Sequence, residues 1–266
     1  MPSSTCERRP VDTSPVLTPR DEYLLRIADS ALVHAQRLCE WCGHGPVLEE
    51  DIALSNVALD LLGQARALLT HVGRALDRDE DQLAFLRDER EFRNLTLVER
   101  PLRRGGDFAD TVLRNLLLAT WLGQMWRRLQ QSSDAEVAAI AAKAVKEARY
   151  HEQHAGEWVV RLGDGTAESA ARMQAALDRA WPDVAEMFEA DAVDAAAVAS
   201  GLGPSRAELR DGCLAAWRSC FDDALLTLPA ETAFRSTGTR GLHSEHLGPL
   251  LAEMQVLQRG FPGGVW

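Results

Sequence analysis

The sequence, 266 residues long, predicts an all-α fold: a four-helix bundle with additional C-terminal helices. Three observations lead there. Glycine and proline are sparse between residues 20 and 200, where Ala, Leu, Arg and Glu dominate. Alternating runs rich in Val, Ile and Thr, the mark of half-buried strands, are absent. Two pairs of long helical segments follow one another, as a bundle requires.

The first helix is expected from Asp21 to Cys42, started by Thr18-Pro19 and an acidic first turn and stopped by Gly43, Gly45 and Pro46. The second runs from Glu49 to Leu76. Its apolar positions Ile52, Leu54, Ala58, Leu61, Leu62, Ala65, Leu68, Leu69 and Val72 are dense enough to suggest burial on more than one side. A shorter helix spans Glu80–Arg90. Residues 94–106, with Pro101 and Gly105-Gly106, carry the chain across the bundle. The third long helix covers Phe108–Gln131 behind Asp107 as N-cap, and the fourth covers Ala135–Leu162 before Gly163-Asp164-Gly165. Three further helices are expected over 168–190, 205–226 and 244–258. They pack on the bundle, so residues 20–266 form one domain behind a disordered tail, 1–19.

Composition is that of a globular chain, 46% hydrophobic and 26% charged. The formal net charge of -11 and the lack of a dense Lys/Arg block argue against nucleic acid as a partner. Arg103-Arg104 is the densest basic candidate for an anionic ligand. No run of 18 apolar residues suggests a membrane span, and the tail lacks the apolar core of a secretory signal. Five scattered cysteines suit a reducing cytoplasm.

A long four-helix frame invites a search for a di-iron carboxylate site. Such a site takes one carboxylate from each of two helices and a Glu-x-x-His pair from each of the others. Two irons carry roughly four to six positive charges, which carboxylates must offset in a poorly solvated core. The second helix offers Asp60, but Gly63 stands three residues on. The fourth offers His151, but Ala148 stands three residues back, and Glu147 lies about 100° further round the helix. The third helix has no carboxylate on its central turns, where Leu113–Leu122 is mostly apolar. The first has Gln36 near its middle and Glu40 near its end. The frame is present and the ligand set is incomplete. The structural reading is a buried polar network, including Glu40 and Glu147, that satisfies itself by hydrogen bonds. The rival reading is a self-sufficient di-iron oxidase using Glu40, Asp60, Glu147 and His151. A third is a stand-alone helical interaction protein.

Cys39-Glu40-Trp41-Cys42 has redox spacing, but it closes a helix instead of opening one after a strand, so it reads as incidental. His243-Ser244-Glu245-His246 reads as a helix start, with Ser244 able to cap and Glu245 favoured by the dipole. No Gly-x-Ser-x-Gly or glycine-rich phosphate loop occurs.

Five runs carry a resemblance: 37–44 (RLCEWCGH), 59–66 (LDLLGQAR), 85–90 (FLRDER), 146–151 (KEARYH), and 241–259, which contains GLHSEHLGP. Together they resemble the C subunits of the bacterial phenylacetyl-CoA 1,2-epoxidases, multicomponent monooxygenases of aerobic phenylacetate breakdown. The resemblance spans about residues 20–266. It implies a ferritin-like fold and a non-catalytic chain without a cofactor of its own. The implied partners are a homologous A subunit, which carries the di-iron centre and binds the acyl-CoA, and a reductase with FAD, 2Fe-2S and NADPH. It also implies what became of each ligand position. Asp60 stands for the second-helix glutamate, Gly63 for its histidine, Ala119 for the third-helix carboxylate and Ala148 for the fourth-helix glutamate. His151 is a retained histidine, and Gln36 answers to the first-helix glutamate. Asp60 and His151 are expected to be buried and hydrogen-bonded, and the seven tryptophans are a source for an apolar partner surface.

Overall fold

The computed structural model describes residues 17–103 and 105–264. The expected tail lies outside these residues apart from 17–19, as does Arg104. The helices are α1 Pro19–Cys39, α2 Leu48–Leu76, α3 Glu80–Phe85, α4 Phe108–Leu129, α5 Ala135–Gly163, α6 Ala167–Val184, α7 Ala192–Ser200, α8 Arg210–Asp223 and α9 Leu247–Gly260.

Local chemistry sets these boundaries. α1 starts earlier than expected because the Thr18 side chain accepts from Asp21 N–H and Pro19 occupies the first turn, so residue 19 belongs to the helix and not to the tail. It stops at Cys39 because Glu40, Trp41 and Cys42 each donate three residues back, tightening the chain into successive turns. Asp107 and Asp110 form a capping box at the head of α4. α7 is an addition to the expected helices: Asp191 and Asp194 form the same box there, and Gly201 closes it at φ 70°. The expected 80–90 helix is α3 followed by a short turn at 89–91, and the 205–226 helix begins as a tighter turn over 206–209.

α1 with α2 and α4 with α5 make two extensively packed hairpins, and α2 against α5 closes the bundle. Residues 77–107 are the one long crossover between them. α6 and α8 cover α4 and α5, α7 lies on α1, and α9 lies on α3. One continuous apolar core runs through all of these.

α1 is buried on every side, and its polar residues are the pegs that hold the surrounding segments. Arg26 binds Asp191 and Asp194 at the head of α7. Asp29 takes a forked pair from Arg87 and an N–H bond from Arg93. Arg37 donates to the carbonyl oxygens of Glu99 and His246. Pairing of this kind offsets the cost of burying these charges.

The 243–246 motif completes the wrap. His243 Nδ1 lies 2.7 Å from Glu99 Oε1, and Ser244 donates to Glu99 Oε2 through its N–H (2.7 Å) and its hydroxyl (2.6 Å). Glu99 is fully buried, so these donors and Asn94 Nδ2 replace its water. Gly241, at φ 80°, makes the approach possible, since a Cβ there would meet Arg90 O at 2.5 Å.

Two expectations change. The large tryptophans are interior: Trp121, Trp126, Trp181 and Trp217 are all buried, and Trp158 is partly so. α2 packs against α1, α3 and α5, but Ile52, one of its apolar positions expected inside, is exposed. It is long and apolar enough to cross a membrane by length and composition, with half of its most apolar window buried in the bundle. Its outer face carries Leu48 (72% exposed), Ile52 (53%) and Leu59 (64%), one beneath another at helical spacing.

Candidate functional site

At the middle of the bundle, four helices contribute polar side chains that meet in pairs. His34 of α1 is buried, and its Nε2 lies 2.6 Å from Asn115 Oδ1 of α4. His151 of α5 is buried, with Nε2 3.0 Å from Asp60 Oδ2 of α2. A second α2–α5 link runs from Gln64 Nε2 to Glu147 Oε2 (2.9 Å), and Trp126 Nε1 donates to the other end of the same amide. A third joins His154 to Glu50 at 3.0 Å.

Burial sets the electrostatics. It pushes the His34 imidazole down to about 3, with the Arg114 charge adding to the effect and the Asn115 bond opposing it. Burial also lowers His151, against the hydrogen bond and charge of Asp60. Both rings are therefore neutral at pH 7, and each serves as a hydrogen-bond donor through Nε2.

The structure sorts the sequence candidates as follows. Asp60 and His151 are joined, but the Asp60 side chain is 40% exposed at the groove edge, so the expectation of a buried Asp60 does not hold. Glu147 lies near His151 and bonds to Gln64. Glu40 does not join them: it sits beyond the end of α1, bound by Arg37 and by the N–H groups of Leu102 and Arg103. Gln36 is only partly buried, and the inward polar side chain of α1 is His34. Gly63 lies on the exposed face of α2, and a Cβ there would meet nothing within 4 Å. Ala119 and Ala148 are buried. At this level α4 and α5 approach closely, since a Cβ on Gly123 would lie 3.9 Å from the Ala148 Cβ.

A pair of iron ions does not suit these residues. Ala119 and Ala148 carry no ligand atom, and the carboxylates Asp60 and Glu147 are each tied to a neutral donor. Among the described residues, no three His, Cys, Asp or Glu side chains converge as a metal group. Nor does the Cys39–Cys42 run present an activated thiol: burial, then Cys42, raises Cys39 above its ordinary value.

His34 and Asn115 are site residues that sequence reasoning does not single out. Asn115 has a signal, as the one amide within the apolar Leu113–Leu122 run. His34 has none, because α1 has no solvent face against which an inward position could be defined.

The two hairpins, the single long crossover and the central polar pairs define a ferritin-like helical bundle whose centre is closed by hydrogen bonds. A solved structure supports the fold: an aldehyde deformylating oxidase protein from Synechococcus aligns with TM-score 0.56 at 18% identity, covering 79% of this chain and 92% of that one. The chain belongs to the phenylacetic acid catabolic protein family, whose model matches residues 13–266. It is 49% identical over 245 residues to the C subunit of the 1,2-phenylacetyl-CoA epoxidase of Escherichia coli (strain K12), covering 92% of this chain and 98% of that protein.

Proposed function

We propose that this chain is a structural, non-catalytic subunit of a phenylacetyl-CoA 1,2-epoxidase, packed against the homologous A subunit that holds the di-iron centre. The observation that carries this reading is the closed bundle centre: alanines at 119 and 148, and histidines bonded to Asn115 and Asp60. Such a centre keeps the bundle rigid and provides no open coordination position for oxygen chemistry. Electrons then pass from NADPH through the FAD and 2Fe-2S of the reductase to the A subunit without entering this chain. The name of the 49% identical relative, a lettered subunit of an epoxidase, supports the placement in a complex.

The outer face of α2 suits the docking role. Leu48, Ile52 and Leu59 form an exposed apolar row, and Tyr150, stacked on His154, is exposed on α5. Partner surfaces are built from such apolar rows. Co-expression with the A subunit tests this. The double variant Ile52→Asp, Leu59→Asp is expected to stay folded, because both side chains are exposed, and to lose co-elution on size exclusion. Undiminished co-elution would refute α2 as the docking face.

A further inference from the structure

Arg114 of α4 carries a charge that its surroundings leave unbalanced. The residue is only 6% exposed. Among the described residues its guanidinium has one hydrogen-bond partner, the carbonyl oxygen of Arg100, and no carboxylate within ion-pair distance. A buried cation without a counter-charge is costly, so this arrangement calls for an anion.

A cavity of about 180 Å³ lies beside it, lined by Leu97, Arg100 and Pro101 of the crossover, by the first turns of α4 and by the C-terminal half of α6. That is room for one tetrahedral oxyanion. Its charged lining is Arg100, Arg114, Arg179, Asp110 and Asp183, with His246 at one side. Arg179 is committed to Asp110 by a bidentate pair at 2.8 and 2.9 Å. Arg100 lies 3.4 Å from Asp183. These two pairs cancel, and Arg114 is the cation left over. Burial, with Arg37 and then Arg100 opposing the charge against Asp110, brings the Arg114 guanidinium down to about 9. A neighbouring cleft shares Pro101 and His246 with this cavity, and there Arg37 and Arg103 are matched by Glu40 and Glu253.

We infer that this cavity is a binding site for a single phosphate group, with Arg114 as its principal ligand and Arg100 at its exposed rim. The unpaired Arg114 guanidinium on α4 and the weakly paired Arg100 on the crossover both line the space, and both can donate to the oxygens of one phosphate. The inference does not depend on the scaffold role of the chain.

Thermal melting of the full-length chain tests it, with inorganic phosphate, coenzyme A and dephospho-coenzyme A against chloride and acetate at equal ionic strength. Inorganic phosphate is expected to raise the melting temperature saturably. A rise with coenzyme A that is lost with dephospho-coenzyme A identifies the 3′-phosphate of the nucleotide as the source. A rise with inorganic phosphate alone identifies the free anion. Arg114→Gln is expected to melt higher than wild type without phosphate and to show no phosphate response. Arg100→Gln, on the exposed rim, keeps the test open if that variant misfolds, and should weaken the response at least tenfold. A phosphate shift no larger than that of chloride or acetate would overturn the inference, as would an equal shift in wild type and both variants.

Discussion

His151 on α5 and Asp60 on α2 meet at 3.0 Å across the waist of the bundle, and the pair is lopsided: the imidazole is buried and the carboxylate is 40% exposed. The carboxylate can therefore stay hydrated on one side while it satisfies a buried donor on the other. Asp60→Ala leaves the His151 Nε2–H without that acceptor. A fully buried loss would cost about 1–3 kcal/mol. Exposure of Asp60 lets water enter, so about 1 kcal/mol is expected, read as a lower urea midpoint with unchanged slope.

His34 makes stability depend on pH. Its folded pKa of about 3 lies below the unfolded value of 6.5. Between those two values the unfolded chain binds the extra proton, so stability falls as pH falls through that window and is constant with respect to this group above 6.5. At about 1.36 kcal/mol per unit, the loss at pH 5 is about 2 kcal/mol. His151, also lowered, adds to it in the same direction. Urea titrations at pH 7 and pH 5 should show the loss, and His34→Gln should flatten the slope between them. A wild-type chain equally stable at both values would contradict the burial of neutral His34.

These two histidines show which parts of the site are legible in the sequence. α5 has an apolar face and a solvent face, so spacing alone places His151 inward. α1 is buried all round, and its periodicity selects no single inward position, so the pattern does not separate His34 from Gln36. The His34–Asn115 bond joins residues 81 positions apart, which no local pattern encodes. The helices themselves are legible because their caps are local: Asp107, Asp134 and Gly163 each mark an end within a few residues. α7 shows the limit of that logic, since the Asp191 cap and Gly201 bracket a helix too short for its periodicity to stand out. The outer face of α2 departs from expectation because an apolar row facing solvent and one facing a core look alike in a single chain.

Asp29 and Arg87 form a forked, buried pair that ties the crossover to α1. Asp29→Ala leaves the guanidinium buried and unpaired, so a loss of about 3–5 kcal/mol is expected. Replacing both partners with apolar residues of similar volume should recover most of it. A double-mutant cycle in urea measures the difference, and an Asp29→Ala loss below about 1 kcal/mol would show the pair to be unimportant.

Glu99 is the anchor of the C-terminal segment through His243 and Ser244. Glu99→Ala should raise hydrogen exchange over residues 236–260 while α4 and α5 stay protected. Uniformly faster exchange would instead mean that the C-terminal segment and the bundle open together.

In the proposed scaffold role, this chain supports oxygen chemistry without performing it. The direct measurement is phenylacetyl-CoA turnover per assembled complex, with the A subunit and reductase supplied. This chain is present as wild type, present as the double variant Asp60→Ala, His151→Ala, or omitted. The double variant, once assembled, is expected to turn over within about twofold of wild type, and omission of the chain is expected to remove most soluble activity. Turnover that falls to background in an intact complex carrying the double variant would contradict it.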